Sequence, residues 1–416
     1  MRNPKEKFFP NSPRRASETI RGNCTPSHPG IFWRVIIRES ASFLDLPVSS
    51  SISAILLALL IFGCSPFKPA SAAALGADEK VQAELAQAVE PIETSQAQEE
   101  DKEAEYQNAG PRFVLIPANA GPGEPVTVGY CENFGMASGA NFGMASDANS
   151  AQNRGLEAVL LDSRGRRLTK AAFFNLPMME GEDEIKAAIL AIPSTAVQGD
   201  AIIRIESLDG IIRDLPFTIN SRIFIAETIS LNEENTALRT QIDPQKTAES
   251  EQLWAILSGT GSKIFGNGQF IPPVTSTRRT SHYGDRRIYQ YIDNTTDSTI
   301  HAGIDFGVPT GTEVRACAAG RVVLARPRIV TGNSVVMEHI PGVFSLYYHM
   351  DKIAVSEGMI LEAGALLGES GSTGLATGPH LHWEIRVSGE YADPDTFISR
   401  PVLDKKDILN KMRDSL

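Results

Sequence analysis

The sequence predicts a mainly β protein: an N-terminal immunoglobulin-like β-sandwich and a second, C-terminal all-β domain, joined by a short helical connector. Three observations carry this. First, short apolar runs recur across 110–222, at 113–116, 126–128, 158–161, 188–192, 201–205 and 217–219, with Pro122-Gly123-Glu124-Pro125 and Asp209-Gly210 among the turns between them. Strands at that spacing point to a sandwich. Second, across 274–400, β-type runs such as 321–324, 334–338 and 344–348 alternate with glycines, the mark of tight corners. Third, between the two, 248–257 reads AESEQLWAIL. These are good helix formers, with an apolar side ending in Leu253, Trp254 and Leu257, so this stretch is expected to pack on the next domain.

The elements follow in chain order. Residues 1–73 read as a leader: the first fifty carry eight Arg or Lys against four Asp or Glu, and then comes the apolar run SISAILLALLIFG at 51–63. That run is shorter than the ~20 apolar residues a bilayer span needs and has the length of a signal-peptide core. Two processing routes are open. Ile61-Phe62-Gly63-Cys64 resembles a lipobox that would lipidate Cys64, and Ala70-Ser71-Ala72 is a cleavage site that would release a soluble protein. Export to the periplasm or cell envelope is expected on either route, with membrane anchoring through the leader or Cys64 on the first. Residues 74–109 set ten acidic residues against two lysines and read as a solvated tether. The sandwich follows at 110–222, the connector at 223–273, the second β-domain at 274–400 and a C-terminal helix at 401–416. Inside the sandwich, NFGMAS occurs at 133–138 and again at 141–146. Two copies are too few for a solenoid and read as a duplication that lengthened a surface loop.

The 416 residues exceed one ordinary core at ~150 residues per domain. Fifty acidic against 39 basic residues give a net charge of −11, which argues against nucleic acid as a partner. Four cysteines exclude a disulfide-dense scaffold and a cysteine-only zinc array. Histidine is distributed unevenly: of seven, six lie between His282 and His382.

Those histidines form a constellation. His301 and Asp305 are four residues apart, with Gly303 between them allowing close approach. His349 follows Tyr347-Tyr348. His380 and His382 sit at i and i+2, which on a strand share one face. Catalytic zinc uses three protein ligands and keeps a fourth position open. His301, Asp305 and one of the His380/His382 pair supply such a set. The remaining imidazoles suit proton transfer and charge stabilisation. Other metal signatures fail: there is no His-Glu-x-x-His, and no Pro-Cys-x-x-Cys follows His382-Trp383-Glu384.

At this point the segment resembles the lysostaphin/LytM-type peptidoglycan zinc metallopeptidases. The resemblance rests on Ser281-His282-Tyr283-Gly284-Asp285-Arg286, on His301 through Phe306 with Pro309 and Gly311-Thr312, and on Asn333 through His339 with Tyr347, His349 and Met350. It continues through Gly371 to Gly374, Thr377 to His382, Glu384 and Asp393-Pro394. It implies one Zn2+ held by His301, Asp305 and His382, catalytic roles for His349 and His380, and hydrolysis of peptide bonds in peptidoglycan. Arg286, Asn333, Tyr347 and Glu384 become candidates for substrate or supporting contacts. One departure stands out. Many members carry a tyrosine about six residues before the first ligand, where this chain has Thr295; Tyr289 and Tyr291 lie nearer the start. His339 and Cys317 read as structural. The rival reading is a LytM-like domain without metal that activates separate wall amidases; such domains lack one or more ligands, and here all five positions are filled. A third reading is latency, with the sandwich or tether blocking the groove.

Overall fold

The computed structural model describes residues 110–134, 155–179, 182–208, 210–259, 261, 263–266 and 269–415. All of them lie in one compact unit, Val89–Leu416. The leader, Cys64, the tether and most of the NFGMAS pair fall outside the described residues.

The first nine strands are β1 (Gly110–Ile116), β2 (Asn119–Ala120), β3 (Pro125–Phe134), β4 (Glu157–Asp162), β5 (Arg167–Ala172), β6 (Phe174–Asn175), β7 (Ile185–Ala191), β8 (Gly199–Ser207) and β9 (Gly210–Ile219). They form two sheets, ordered β1-β3-β7-β6 and β2-β9-β8-β4-β5. Val126, Val128, Leu160, Ala188, Leu190 and Ile203 are among the residues packed between them. This is the expected two-sheet arrangement.

β7 reads IKAAILA and is buried along its whole length. Alternation explains why apolar residues point both ways along it, with Lys186 the one charged residue among them. Ala188 and Leu190 face the sandwich core, while Ile185, Ala187, Ile189 and Ala191 enter a second core that also holds Phe306, Tyr347, Trp383 and Phe397. The first sheet is therefore covered on both sides. Ile408 and Met412, one turn apart on the C-terminal helix, are fully buried in the same second core. They come so close to β3 that a Cβ on Gly129 would lie 2.9 Å from Ile408 Cγ2.

The rest of the chain adds β10 (Ala226–Ser230), α1 (Glu233–Thr240), α2 (Pro244–Ser258), β11 (Arg279–Ser281), β12 (Arg286–Gln290), β13 (Thr296–Ile300), β14 (Gly303–Phe306), β15 (Glu313–Arg315), β16 (Gly320–Arg328), β17 (Gly332–Ile340), β18 (Val343–Ile353), β19 (Ile360–Leu361), β20 (Leu366–Ser370), β21 (Leu381–Val387), β22 (Glu390–Ala392), α3 (Pro394–Ser399) and α4 (Lys405–Asp414). A ten-stranded sheet carries the central path β11-β14-β21-β18-β17-β16-β19. A small sheet, β10-β12-β13, stands beside it.

The connector differs from its sequence expectation in two ways. It supplies a strand as well as helices, since β10 pairs in parallel with β12 over five residues. Its second helix does pack on the ten-stranded sheet, through Leu253, Ile256 and Leu257 against Leu324, Phe344, Leu346 and Tyr348. Trp254, expected on that apolar side, is instead 59% exposed. Both helices start on side-chain caps: Asn232 accepts from Asn235 N, and Asp243, followed by Pro244, accepts from Gln245 N.

His339 is a core group. It is fully buried, with Nδ1 2.8 Å from Ala319 O and Nε2 2.7 Å from Ser345 Oγ. Burial pushes its pKa from 6.5 down to about 4. The unfolded chain thus binds a proton that the folded chain refuses. This contribution favours folding fully above the ordinary value and is lost as pH falls from there toward the folded one, by up to ~3 kcal/mol. In His339→Gln, denaturant unfolding between pH 4 and 6.5 is expected to show a shallower dependence of stability on pH; an unchanged slope counts against it.

Candidate metal centre and active site

Strand pairing assembles the centre. β14 and β21 run antiparallel with Asp305 opposite His382 and Gly303 opposite Glu384. A Cβ on Gly303 would lie 2.2 Å from Trp383 O, so only glycine allows the two strands to meet at that register. His301 enters from the turn before β14, tied by its backbone N–H to Asp285 O.

Three ligand atoms converge. His301 Nε2 lies 3.1 Å from Asp305 Oδ1 and 3.0 Å from His382 Nδ1, and His382 Nδ1 lies 2.8 Å from Asp305 Oδ1. All three residues are buried. The outer ring nitrogens fix the tautomers. His301 Nδ1 donates to His282 O at 2.8 Å, and His382 Nε2 lies 3.4 Å from Glu384 Oε2. Inner atoms this close need positive charge among them. Without metal a proton supplies it: burial works against a charged His382, yet Asp305 and Glu384 raise its pKa to about 9. A metal cation would take that proton's place. Tetrahedral zinc at ~2.0–2.1 Å would set its donors about 3.3 Å apart, a small expansion of the triangle seen here. The donor set of two imidazoles and one carboxylate fits zinc.

Supporting groups hold each ligand. Asp305 Oδ2 takes Arg287 Nη2 at 2.6 Å. Burial works against the Asp305 carboxylate, yet His301 and His382 hold its pKa well below the usual value. Glu384 is gripped through its other oxygen by Arg386 Nε, and the Arg386 guanidinium lies 3.4 Å from the Tyr391 ring centroid. Tyr348 stacks on His382 with 5.5 Å between ring centroids and 6° between planes.

Two further imidazoles flank the triad. The ring centroids of His349 and His380 are 4.8 Å apart, and His380 Nε2 lies 3.8 Å from Asp305 Oδ1. His349 Nδ1 donates to Thr373 O and His380 Nδ1 to Gly378 O, each at 2.8 Å. Each ring therefore keeps Nε2 free to accept a proton. Burial, with His380 and His382 nearby, pushes the His349 pKa down to about 3, so this ring is neutral at ordinary pH. His349 also adopts φ +60, an uncommon left-handed backbone for a residue with a side chain.

The structure separates the other candidates. Asn333 is two bonds from the centre: its N–H donates to Thr373 Oγ1, and its amide reaches Asp351 O. Glu384 touches His382, as described. Tyr347 does not reach the site. It is fully buried on the opposite face, where its hydroxyl accepts from Cys317 N. Arg286 also points away, toward Ser194 O in the sandwich and over the Phe224 ring. The neighbours take their places: Tyr348 and Arg287 are the site residues that sequence reasoning missed. Thr295 sits in a turn bonded to Asp293, while Tyr289, from β12, lines the site cavity.

That cavity is small, at about 70 Å³. Its far wall is Ile229 and Leu231 from β10 and the turn after it. Leu231 is 6% exposed and donates its N–H to Gln290 O. Asn235 on α1 reaches Ala376 O in the loop between β20 and β21, and Arg239 bonds Tyr291 and Asp297. Ligand pockets run to ~300–1,000 Å³, so the space left beneath Ile229 and Leu231 is small.

Residues 299–394 match the model of Peptidase family M23. The C-terminal part of the chain is an M23 peptidase domain. The matched stretch holds the five histidine and aspartate positions just described. The chain is 37% identical over 124 residues to the "DD-carboxypeptidase/endopeptidase Mpg" of Neisseria meningitidis serogroup B, covering 30% of this chain and 28% of that protein. It is 32% identical over 170 residues to the "Peptidoglycan DD-endopeptidase ShyA" of Vibrio cholerae, covering 41% of this chain and 39% of that protein. The alignments thus span well under half the length of these relatives. The catalytic domain of lysostaphin from Staphylococcus simulans matches at 30% identity, over 29% of this chain and 92% of that one, with a TM-score of 0.26.

Arg287 is expected to hold Asp305 in its ligating orientation. Arg287→Ala should weaken zinc binding about 10–100-fold, as loss of an outer partner typically does. Competition against a chromophoric chelator measures this. An affinity unchanged within twofold would remove Arg287 from the centre.

Proposed function

We propose that the chain is an exported zinc metalloendopeptidase that hydrolyses peptide bonds in peptidoglycan stems or cross-bridges during cell-wall remodelling. One observation carries the reading: two buried imidazoles and a carboxylate bring their ligand atoms to a common point, with two further imidazoles beside it. Zinc, when bound there, supplies Lewis-acid polarisation and brings the acidity of a water close to neutral pH.

The chain's own residues do the rest. His349 or His380 takes a proton from the attacking water at Nε2. The ring that takes it becomes a donor, able to steady the developing oxyanion and pass the proton to the leaving amine. Tyr289, on the cavity wall, is the tyrosine suited to add a second donor. The printed names of the M23 relatives support peptidoglycan as substrate. A metal-free activator role is disfavoured because no ligand position is missing.

The roof over the centre supports a latent resting state. We infer that turnover requires β10 and α1 to withdraw, and that residues 223–273 regulate the domain as well as connect it.

Zinc-loaded protein is expected to release muropeptides from purified sacculi. Chelator should abolish release, and His349→Ala should lower it at least ~100-fold, the usual share of a general acid–base group. Binding of sacculi without release would exclude the peptidase reading. Leu231→Ala, which thins the roof without touching the centre, should raise kcat/KM severalfold; a fall or no change counts against latency.

A further inference from the structure

A cleft of about 830 Å³ opens where β5, α2 and the turn from β21 to β22 meet, against about 70 Å³ at the metal centre. Its volume lies within the range of ligand-binding pockets. β21 links it to the centre. His382, Glu384 and Arg386 alternate along that strand and share one face, while Trp383, Ile385 and Val387 enter the core. His382 belongs to the ligand triad, and Arg386 lines the cleft. Four residues at ~3.3 Å each set them roughly 13 Å apart along the strand. Between them stands Glu384, which touches both.

The lining of the cleft combines an open aromatic ring with charges that are already paired. Trp254 lines it and is exposed, whereas Leu253 and Leu257, on the same helix, pack on the sheet. Gly389 holds the ring in place: a Cβ there would lie 3.3 Å from Trp254 Cη2, so the turn supports the indole edge only because it carries no side chain. The cations are committed. Lys170 Nζ donates to Glu157 at 2.7 Å, Arg386 holds Glu384 and Gly389 O, and Arg328 donates to Thr331 Oγ1 and Glu249 O. Glu390 differs. Its Oε1 accepts the N–H of Tyr391, and among the described residues no cation forms an ion pair with it. Burial raises its pKa in spite of that hydrogen bond and the Arg386 charge. Lys170, Arg328 and Arg386 are matched in number by Glu157, Glu384 and Glu390, so the cleft favours neither an anion nor a cation. An indole face and a carboxylate acceptor remain open to a ligand.

We propose that this cleft is a saccharide-binding site, in which a pyranose stacks its apolar face on Trp254 and donates hydroxyl hydrogen bonds to Glu390. A neutral sugar ring has both parts, C–H groups across one face and hydroxyl donors around its edge, and brings no charge to be matched. An indole face suits the first and a half-satisfied buried carboxylate the second. A free peptide carboxylate would find each of the three cations already held, and an ammonium group at Glu390 would meet Arg386 beside it. The proposal rests on the peptidoglycan-hydrolase reading for its ligand, the glycan strand of the wall, and deepens that reading. The glycan is held along the strand that carries His382, and its stem peptide is thereby concentrated at the centre. The site acts through affinity and takes no part in the bond-breaking step.

Tetra-N-acetylchitotetraose, which contains no peptide for a peptidase to cut, is titrated by calorimetry into the zinc-loaded full chain. The unmodified chain should bind it. Trp254→Ala should weaken binding about tenfold, the scale of a lost aromatic stack, and Trp254→Phe should recover most of the loss. Glu390→Gln, which keeps the shape and removes the charged acceptor, should weaken it by a similar factor. Trp254 lies outside the packed side of α2, so the fold should survive its loss; Glu390→Gln decides the matter if it does not. No binding by the unmodified chain, or a loss below threefold in the folded variants, overturns the proposal. So does displacement of the saccharide by a sugar-free peptide ending in D-Ala-D-Ala, which would make the cleft a peptide site. Sacculus digestion is scored apart. Trp254→Ala should raise the half-saturating amount of sacculi severalfold and leave the maximal rate unchanged. Saccharide binding without digestion would keep the site and sink the hydrolase reading, and digestion without saccharide binding would do the reverse.

Discussion

The organisation of the C-terminal domain depends on three ligand atoms held face to face. His301, Asp305 and His382 would not choose this arrangement for packing, since each is buried and their inner atoms stand 2.8–3.1 Å apart. The surrounding groups make sense as consequences. His282 O and Glu384 engage the outer imidazole nitrogens and leave the inner ones facing Asp305. Arg287 and Arg386 then balance the two carboxylates. Gly303 lets β14 and β21 approach at the one register that sets Asp305 beside His382. Each feature has an ordinary physical cause, and together they describe a cation site.

Around this centre the fold is layered. The first sheet of the sandwich is apolar on both faces and serves two cores, so the sandwich is a structural wall of the M23 domain as well as a module in its own right. α4 seals the same core from the far end of the chain through Ile408 and Met412. Arg286 ties the small sheet to Ser194. β10 is held by its five-residue pairing with β12, and α1 by the hydrogen bonds of Asn235 and Arg239.

Much of this was legible in the sequence, and the misses share a cause. The spacing of His380 and His382, the His301–Asp305 pair and the glycine-punctuated strands each carry a local signal with its own geometry. Parity along a strand does not. Arg286 and Arg287 are equally good candidates until pairing with β10 and β13 decides which faces inward, and a shift of one residue reverses the answer. The same holds for Tyr347 and Tyr348, where pairing with Trp383 and His382 respectively sends one to the core and the other to the site. His349 follows neither rule, because its left-handed backbone breaks the alternation of β18. The roof had no sequence signal at all: a helical run with an apolar side predicts packing, and only the β10–β12 pairing reveals what lies beneath. Trp254 shows the limit of that inference, counted as buried by periodicity and exposed in the fold.

The central claim is a zinc ion held by two imidazoles and one carboxylate. X-ray absorption at the zinc edge of the purified full chain tests it most directly. The account predicts a first shell of light atoms at ~2.0–2.1 Å with the multiple-scattering signature of two imidazoles. One of the two should vanish in His382→Ala. A sulfur shell near ~2.3 Å, or a spectrum indifferent to His301 and His382, would contradict it.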